Sequence, residues 1–174
     1  MTESLRGKLL IAAPSLFDFF RRTVILMVEH TEEGAFGVVL NRASESTVGE
    51  AVPALSDLAG PDGPVHIGGP VATDSVVVLG EFDDPEDSPK PVVGDLGVVD
   101  PEEATAVRRV RIYAGHAGWG PGQLEGELES EAWLIEPASA EDPFRDDDLW
   151  SAALQRRGGE YALIATMPDD PSLN

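Results

Sequence analysis

A glycine-rich segment holds the residues of this sequence best suited to chemistry. It reads Gly115-His116-Ala117-Gly118-Trp119-Gly120-Pro121-Gly122 and precedes a predicted helix. Glycines let a backbone adopt positive φ or lie close against a ligand, and a glycine-rich turn between a strand and a helix is a common phosphate site. The segment predicts a ligand or partner pocket with an aromatic wall and polar contacts. Its members are Gly115, His116, Gly118, Trp119 (the wall), Gln123 and Glu125.

The same segment also fits a purely structural tight turn. Gln123 stands where the dinucleotide fingerprint needs its third glycine, and no Lys-Ser/Thr pair follows as in a P-loop. Glu125, Glu127 and Glu129 would repel a phosphate but suit the positive end of a helix dipole. The residues alone therefore leave both a pocket and a tight turn open.

Two further segments supply candidate contacts. Asn41-Arg42 follows a predicted strand, and Arg42 suits a carboxylate or phosphate ligand or an ion pair with one of the 32 acidic residues. Gly68-Gly69-Pro70 presents backbone N–H groups to an anion, or is simply a turn. Our hypothesis is one pocket built from the glycine-rich segment together with Asn41, Arg42, Gly68, Gly69 and Pro70.

Catalytic and metal chemistry have less support. The three histidines, His30, His66 and His116, are too far apart in sequence for a local metal motif, and no G-x-S-x-G nucleophile is present. We therefore predict no metal, no cofactor and no catalytic residue. The favoured interpretation is a binding or adaptor protein. One alternative is an enzyme using His116 or Glu125 as acid/base, and another is a regulator that acts through protein contacts.

Composition narrows the class of protein. The chain has 174 residues with 12 basic and 32 acidic side chains, so its net charge is 12 − 32 = −20, and it has no cysteine. Such a charge opposes DNA binding, which depends on basic phosphate contacts, and no apolar run approaches the ~18 residues of a membrane span. We expect one cytoplasmic domain over 1–174, with a small-molecule or protein partner, no nucleic acid and no membrane contact.

Hydrophobic patterning predicts an α+β fold, because strands and helices alternate irregularly. Apolar runs at 8–13, 23–30 and 35–40 are nearly continuous, as in strands covered on both faces, and the latter two predict a hairpin. Thr47 and Glu50 form a capping pair for a helix to Leu58 that Pro53 shortens or kinks. Further strands are predicted at 65–67, 75–80, 91–99, 109–114 and 132–135.

The remaining segments are predicted as helices, a loop and a tail. A helix follows the glycine-rich turn over 123–130, and Asp146–Asp148 open a last helix that Gly158-Gly159 ends. The acidic, proline-rich stretch 81–91 predicts a solvated loop rather than a calcium site. Residues 168–174 form a polar C-terminal tail.

Several segments together resemble the YqgE/AlgH family of bacterial proteins. They are Leu5–Pro14, Gly34–Arg42 (GAFGVVLNR), His66–Val71 (HIGGPV), Tyr113–Glu127 (YAGHAGWGPGQLEGE) and Pro168–Asn174. The resemblance implies an α+β domain whose mixed sheet curls toward a barrel, flanked by short helices. It implies no reaction, although some members carry a transcriptional-regulator label. His116 stands where the family usually has tyrosine, so any role of that tyrosine does not carry over.

Overall fold

The computed structural model describes residues 4–14, 20–102, 107–145 and 148–164. These residues form ten strands and five short α-helices, numbered here in chain order. The strands β1 to β10 are Lys8–Ala12, Val24–Thr31, Gly34–Val39, Ala43–Thr47, Pro64–Ile67, Val71–Phe82, Lys90–Val93, Leu96–Val98, Val107–Trp119 and Trp133–Pro137. The helices α1 to α5 are Val48–Ala51, Ser56–Ala59, Gln123–Glu129, Leu149–Arg157 and Glu160–Ile164.

The strands join into one open, mixed sheet. Its main path runs β10-β1-β2-β3-β9-β6-β8-β7, and β5 adds to β9 with β4 paired to β5. The β5–β9 pair is parallel, whereas the other pairs are antiparallel. The predicted α+β class is confirmed, and the sheet does not close into a barrel.

The continuous apolar runs lie in strands that are covered on both faces, as predicted. Leu9 and Ile11 of β1 pack in the cluster that contains α4, whereas Leu10 and Ala12 pack in the cluster that contains Leu124 of α3. All four β1 side chains are fully buried. Because neighbouring side chains on a strand point to opposite faces, burial on both faces requires apolar residues at every position. The predicted hairpin of β2 and β3 is confirmed by their antiparallel pairing.

The long strand β9 links the two parts of the sheet. It pairs with β5 up to Ala114 and with β6 up to His116, and from Ala117 onward it pairs with β3. Just before the change of partner lies Gly115, whose φ of 74° is in the left-handed region. Glycine adopts that conformation without the steric cost that a side chain adds.

Local capping signals place the helices. The Thr47 hydroxyl accepts a hydrogen bond from the Glu50 amide at 3.3 Å and caps α1. At Pro53 the predicted helix breaks into α1, a 3₁₀ turn and α2, in agreement with the expectation that Pro53 shortens or kinks it. Asp148 caps α4, and Gly158 ends it with a φ of 77°. The remaining predicted opening acids, residues 146 and 147, lie outside the described residues.

Three boundaries differ from the prediction. The run 91–99 is a hairpin of β7 and β8 rather than one strand, because Gly94 at φ 53° reverses the chain. The acidic loop is narrower than 81–91, since Phe82 ends β6 and Lys90 begins β7. Within it, Asp84 caps a 3₁₀ turn over Pro85–Asp87. The strand β4 was not predicted, and the tail 168–174 lies outside the described residues.

Candidate functional site

The first half of the glycine-rich segment is a strand, so the prediction of a tight turn over 115–122 is wrong there. Residues 115–119 complete β9, with Ala117 opposite Gly37 and Trp119 opposite Ala35 of β3. Only residues 120–122 form the turn into α3, with Gly122 at φ 76°. The strand was missed because glycine has low strand propensity, and the pairing that overrides it comes from the distant β3.

A close crossing of two backbones brings the two glycine motifs together. A Cβ on Gly69 would lie 2.1 Å from the His116 carbonyl carbon, and a Cβ on Gly68 would lie 2.3 Å from the Gly115 carbonyl oxygen. Gly68 and Gly69 are buried, while Pro70 is exposed. Since a side chain does not fit, these glycines permit the strands to pack, and this contact is between backbones rather than with a ligand.

Asn41 and Arg42 lie beside the same crossing. Asn41 accepts a hydrogen bond from the Val24 amide at 2.9 Å and donates one to the Arg22 carbonyl at 2.8 Å. The Arg42 guanidinium donates to the Arg21 carbonyl at 3.0 Å, and the Arg42 carbonyl accepts from Ile67 at 2.7 Å. Both side chains thus fasten the start of β2 to the end of β3.

Trp119 belongs to a cluster that ties α3 to the sheet. A single carboxylate oxygen of Glu127 accepts from the indole N–H of Trp119 at 3.1 Å and from that of Trp133 at 2.9 Å. The other oxygen accepts from the Gln123 amide at 3.0 Å, and Gln123 in turn accepts from the Gly120 backbone N–H. We call Trp119, Gln123, Glu127 and Trp133 the indole clasp.

Trp119, the predicted aromatic wall, and Gln123, a predicted polar contact, therefore bind other side chains of the fold. Trp119 is 6% exposed and Trp133 is 4% exposed, and their rings meet edge to face at 6.3 Å. Glu127 belongs to the sequence motif but was not among the predicted pocket residues. In the structure it is the centre of the indole clasp. The signal that could have found it is an acid placed on α3 to reach the N–H groups of two tryptophans.

Glu125 pairs with His30 and so anchors the N-terminal segment. Its carboxylate lies 3.2 Å from His30 Nε2, while His30 Nδ1 accepts the Leu5 amide at 3.0 Å. Because Nδ1 is the acceptor, the proton of a neutral ring is on Nε2, which donates to Glu125. His30 and Leu5 are each 9% exposed, so these contacts hold the N-terminal segment where Leu5 packs in the core.

Gly118 and His116 border the crossing without joining these networks. Gly118 is exposed, and a Cβ there would meet its neighbours at ordinary distances of 3.9 Å or more. The His116 ring packs edge to face on Phe36 at 5.6 Å. A shallow groove of about 340 Å³ borders Trp119, and its other lining residues come from β2, β3 and their turn.

A different cavity collects charged and polar side chains from three parts of the fold. It has a volume of about 340 Å³ and lies between the end of β3, the paired strands β5 and β9, and the start of α4. We call it the α4 cavity. The described residues that line it are Leu40, Asn41, Ala43, Pro64, His66, Arg111, Arg145, Asp148 and Leu149. Of the predicted site residues, Asn41 belongs to this lining.

The strand pairing of β5 and β9 fixes the polar wall of the α4 cavity. His66 lies opposite Tyr113 in register, and their rings are 5.6 Å apart. Arg111, two residues earlier on β9, places its Nη1 3.3 Å from His66 Nε2. The buried Tyr113 hydroxyl has no hydrogen-bond partner among the described residues, and burial raises the pKa of this phenol above its usual value despite the nearby Arg111 charge.

The positions of the histidines decide whether they share a metal site. The three histidines lie in different surroundings: His30 with Glu125, His66 with Arg111, and His116 on Phe36. In the part of the chain that the structure describes, no group of three or more His, Asp or Glu side chains is placed to hold a metal ion. Nor does any helix of those residues have the length and apolarity to cross a membrane.

Fold and site define an α+β protein with an open ten-stranded sheet, an indole clasp and a cavity with both polar and apolar lining residues. The family model described as AlgH-like matches residues 9–162. The chain belongs to this family of uncharacterised proteins. A UPF0301 protein of Streptomyces coelicolor is 47% identical, covering 100% of this chain and 98% of its own length. A Thermobifida fusca UPF0301 protein is 38% identical, covering 98% and 96%.

Two solved structures share the fold. Protein DIP2367 from Corynebacterium diphtheriae superposes with a TM-score of 0.84 at 33% identity, covering 95% of this chain and 94% of that one. The solution structure of the AlgH protein from Pseudomonas aeruginosa gives a TM-score of 0.73 at 32% identity, covering 97% and 98%. The predicted resemblance to the YqgE/AlgH family is thereby confirmed.

Proposed function

We propose that this chain is a non-catalytic binding protein whose small-molecule site is the α4 cavity. The observation that carries the proposal is the lining of that cavity. Apolar surface from Leu40, Pro64 and Leu149 faces polar groups that converge from separate elements, chiefly His66 and Arg111. A volume of about 340 Å³ falls within the roughly 300–1,000 Å³ usual for small-molecule pockets, which combine apolar walls with few polar groups.

Rigid walls support the proposal further. Leu149 is 3% exposed and His66 is 5% exposed, so packing holds both. Asn41 is fixed by two backbone hydrogen bonds, and Arg111 is held beside His66. A site that is already in place loses little conformational freedom when a ligand binds, and this favours affinity.

The glycine-rich corner supports a ligand less well. Trp119 is buried against Trp133, and Glu125 is engaged by His30. His116, the other acid/base candidate, packs on Phe36 rather than beside a nucleophile. These placements favour binding over catalysis. Because Trp119 is 6% exposed, it also offers little apolar surface to a protein partner.

A thermal-shift screen of metabolites and nucleotides tests the proposal. Ala43 lines the cavity and is exposed, so Ala43→Phe fills the entrance, while Ser46→Phe makes the same kind of change at an exposed β4 position outside the lining. A ligand at 100 times its Kd adds about 2.7 kcal/mol, or roughly 5–11 °C in Tm at this size. The shift should persist in Ser46→Phe and vanish in Ala43→Phe.

Either of two results would overturn the proposal. One is a screen in which no compound stabilises the unmodified protein. The other is a stabilising compound that acts equally on both phenylalanine variants, because that compound binds elsewhere. Melting of each variant without ligand shows that it is folded before it is compared.

A further inference from the structure

The shallow groove beside Trp119 combines acidic side chains with an aromatic ring. It has a volume of about 340 Å³ and is formed by the end of β2, the start of β3 and the turn between them. We call it the hairpin groove. The chain from Glu29 to Phe36 is described without a gap, and none of these lining residues belongs to the α4 cavity. The groove is therefore a second concave surface, separate from the site of the proposed function.

The charged residues of this described lining are all acidic. Glu29 and Glu33 contribute two carboxylates, and the described lining contains no Lys or Arg. Glu29 is already paired, because its Oε2 lies 2.9 Å from Lys90 Nζ. Glu33 is exposed, and among the described residues its carboxylate has neither an ion pair nor a hydrogen bond. Of the two acids, Glu33 is therefore the one open to a further cation.

The backbone that carries Glu33 is held from two sides. The Glu33 backbone N–H donates to the Thr31 hydroxyl at 3.1 Å, and Thr31 lies opposite Gly34 in the β2–β3 register. A Cβ on Gly34 would lie 2.5 Å from the Trp119 carbonyl oxygen, so the hairpin end packs against the end of β9. A carboxylate on a fixed backbone needs less ordering when a ligand binds, and this favours affinity.

The aromatic surface of the groove comes from Phe36, because Trp119 is only 6% exposed. Phe36 is half-buried and lies opposite Glu29 across the β2–β3 pair. The Lys90 ammonium that pairs with Glu29 lies 5.9 Å from the centre of the Phe36 ring. Both a carboxylate and the face of an aromatic ring attract an ammonium. The chain's own lysine thus shows that an alkylammonium group suits this combination of groups.

We propose that the hairpin groove binds the side chain of a lysine on a protein partner. The ammonium pairs with Glu33 beside the Phe36 ring, and the methylene stem lies along Gly34, since lysine stems commonly cover apolar surface. The net charge of −20 draws a basic partner toward this chain. A shallow groove covers its ligand on one side, whereas small-molecule pockets enclose most of theirs. This shape favours a side chain that a larger partner holds in place over a free amine.

Two-dimensional amide NMR of the full chain tests the proposal with a capped heptapeptide of sequence Ser-Gly-Ser-Lys-Ser-Gly-Ser. We expect saturable shifts at the amides of Thr31, Gly34 and Phe36, and weaker binding as salt is raised. The same peptide with norleucine in place of lysine keeps an alkyl chain and lacks the charge. It should bind roughly 3- to 30-fold more weakly, since it loses an exposed ion pair and a contact between a cation and a ring.

Charge-reversal variants supply the second arm. Glu33→Lys should weaken binding of the lysine peptide roughly 3- to 30-fold, because an attraction of surface ion-pair size becomes a repulsion of similar size. Glu45→Lys makes the same change of charge at an exposed position of β4, outside the groove. It should change binding by less than about twofold, since a distant surface charge is screened. Both variants have the same net charge, so a difference between them reports the site.

Any of four results would overturn the proposal. They are no saturable binding of the lysine peptide, equally tight binding of the norleucine peptide, equal binding to Glu33→Lys and Glu45→Lys, and n-butylammonium binding as tightly as the lysine peptide. The last would assign the groove to a free amine rather than to a partner's side chain. The comparison of the two peptides on the unmodified chain keeps the test valid if a variant does not fold. None of these results bears on the α4 cavity, because the two sites share no described lining residue.

Discussion

Replacing Glu127 by alanine should open the indole clasp and destabilise the whole domain. The change removes the carboxylate oxygen that accepts both indole N–H groups, at 3.1 Å from Trp119 and 2.9 Å from Trp133. It also removes the acceptor for the Gln123 amide. Both tryptophans remain in the core, because their rings pack with Leu124 and the apolar side chains of β1 and β2.

The magnitude follows from burial of the two donors. With the tryptophans 6% and 4% exposed, water reaches their N–H groups poorly, and each unsatisfied donor costs about 1–3 kcal/mol. We take about 3 kcal/mol for the pair, since removal of the half-buried Glu127 side chain admits some water. For a domain of this size that loss corresponds to a fall in Tm of roughly 6–12 °C.

Thermal and urea denaturation, followed by circular dichroism and tryptophan fluorescence, measure the loss. Glu129→Ala is the matched control, because Glu129 has the same charge and lies exposed on the same helix; its Tm should change by less than about 2 °C. Glu127→Gln should fall between the two, since its amide oxygen still accepts while its NH₂ faces the Gln123 donor. A Glu127→Ala Tm within 2 °C of the Glu129→Ala value would refute the assignment of the clasp.

Three further predictions concern the crossing, the N-terminal anchor and a surface ion pair. Gly69→Ala should lower Tm by more than about 5 °C, because the added Cβ would collide with backbone atoms. Gly126→Ala is the control, since its Cβ would meet no atom within 4 Å, and it should not destabilise the protein. Equal Tm values for the two variants would contradict this prediction. His30→Ala should speed amide exchange over the N-terminal segment, and unchanged exchange would count against the anchor. The hydrogen bond from Arg109 lowers the pKa of the Glu141 carboxyl below its usual value. The stabilisation from this pair is therefore complete above the usual carboxyl pKa and disappears as the pH falls through the lowered pKa. Carboxyl NMR titration checks the direction, and an unshifted Glu141 would contradict it.

Elements whose signals lie within a few residues were predicted well. Thr47 and Glu50 are one helical turn apart and mark the start of α1, and Gly158 marks the end of α4. The apolar runs of β1 and β2 indicated cover on both faces, which the two packed clusters confirm. Predictions of this kind hold because helix capping and side-chain alternation depend only on the neighbouring backbone.

The glycine-rich segment was misjudged because its structure depends on distant chain. Local propensity favoured a turn at 115–119, yet β3 supplies a strand partner for the end of this segment. The Gly69 carbonyl lies where a side chain on Gly115 would be. The glycines were correctly singled out, but for the close approach of two backbones rather than for a ligand. Tertiary pairing routinely overrides weak strand propensity.

The sequence by itself determined the α+β class, the family, most capping sites and the strands that the core buries on both faces. Only the tertiary structure decided which polar groups meet. His66, Arg111 and Arg145 lie in distant segments and converge because β5 pairs parallel to β9 and Arg145 lines the cavity beside that pair. Periodicity and propensity are properties of neighbouring residues, whereas a binding site requires long-range strand pairing to bring remote side chains together.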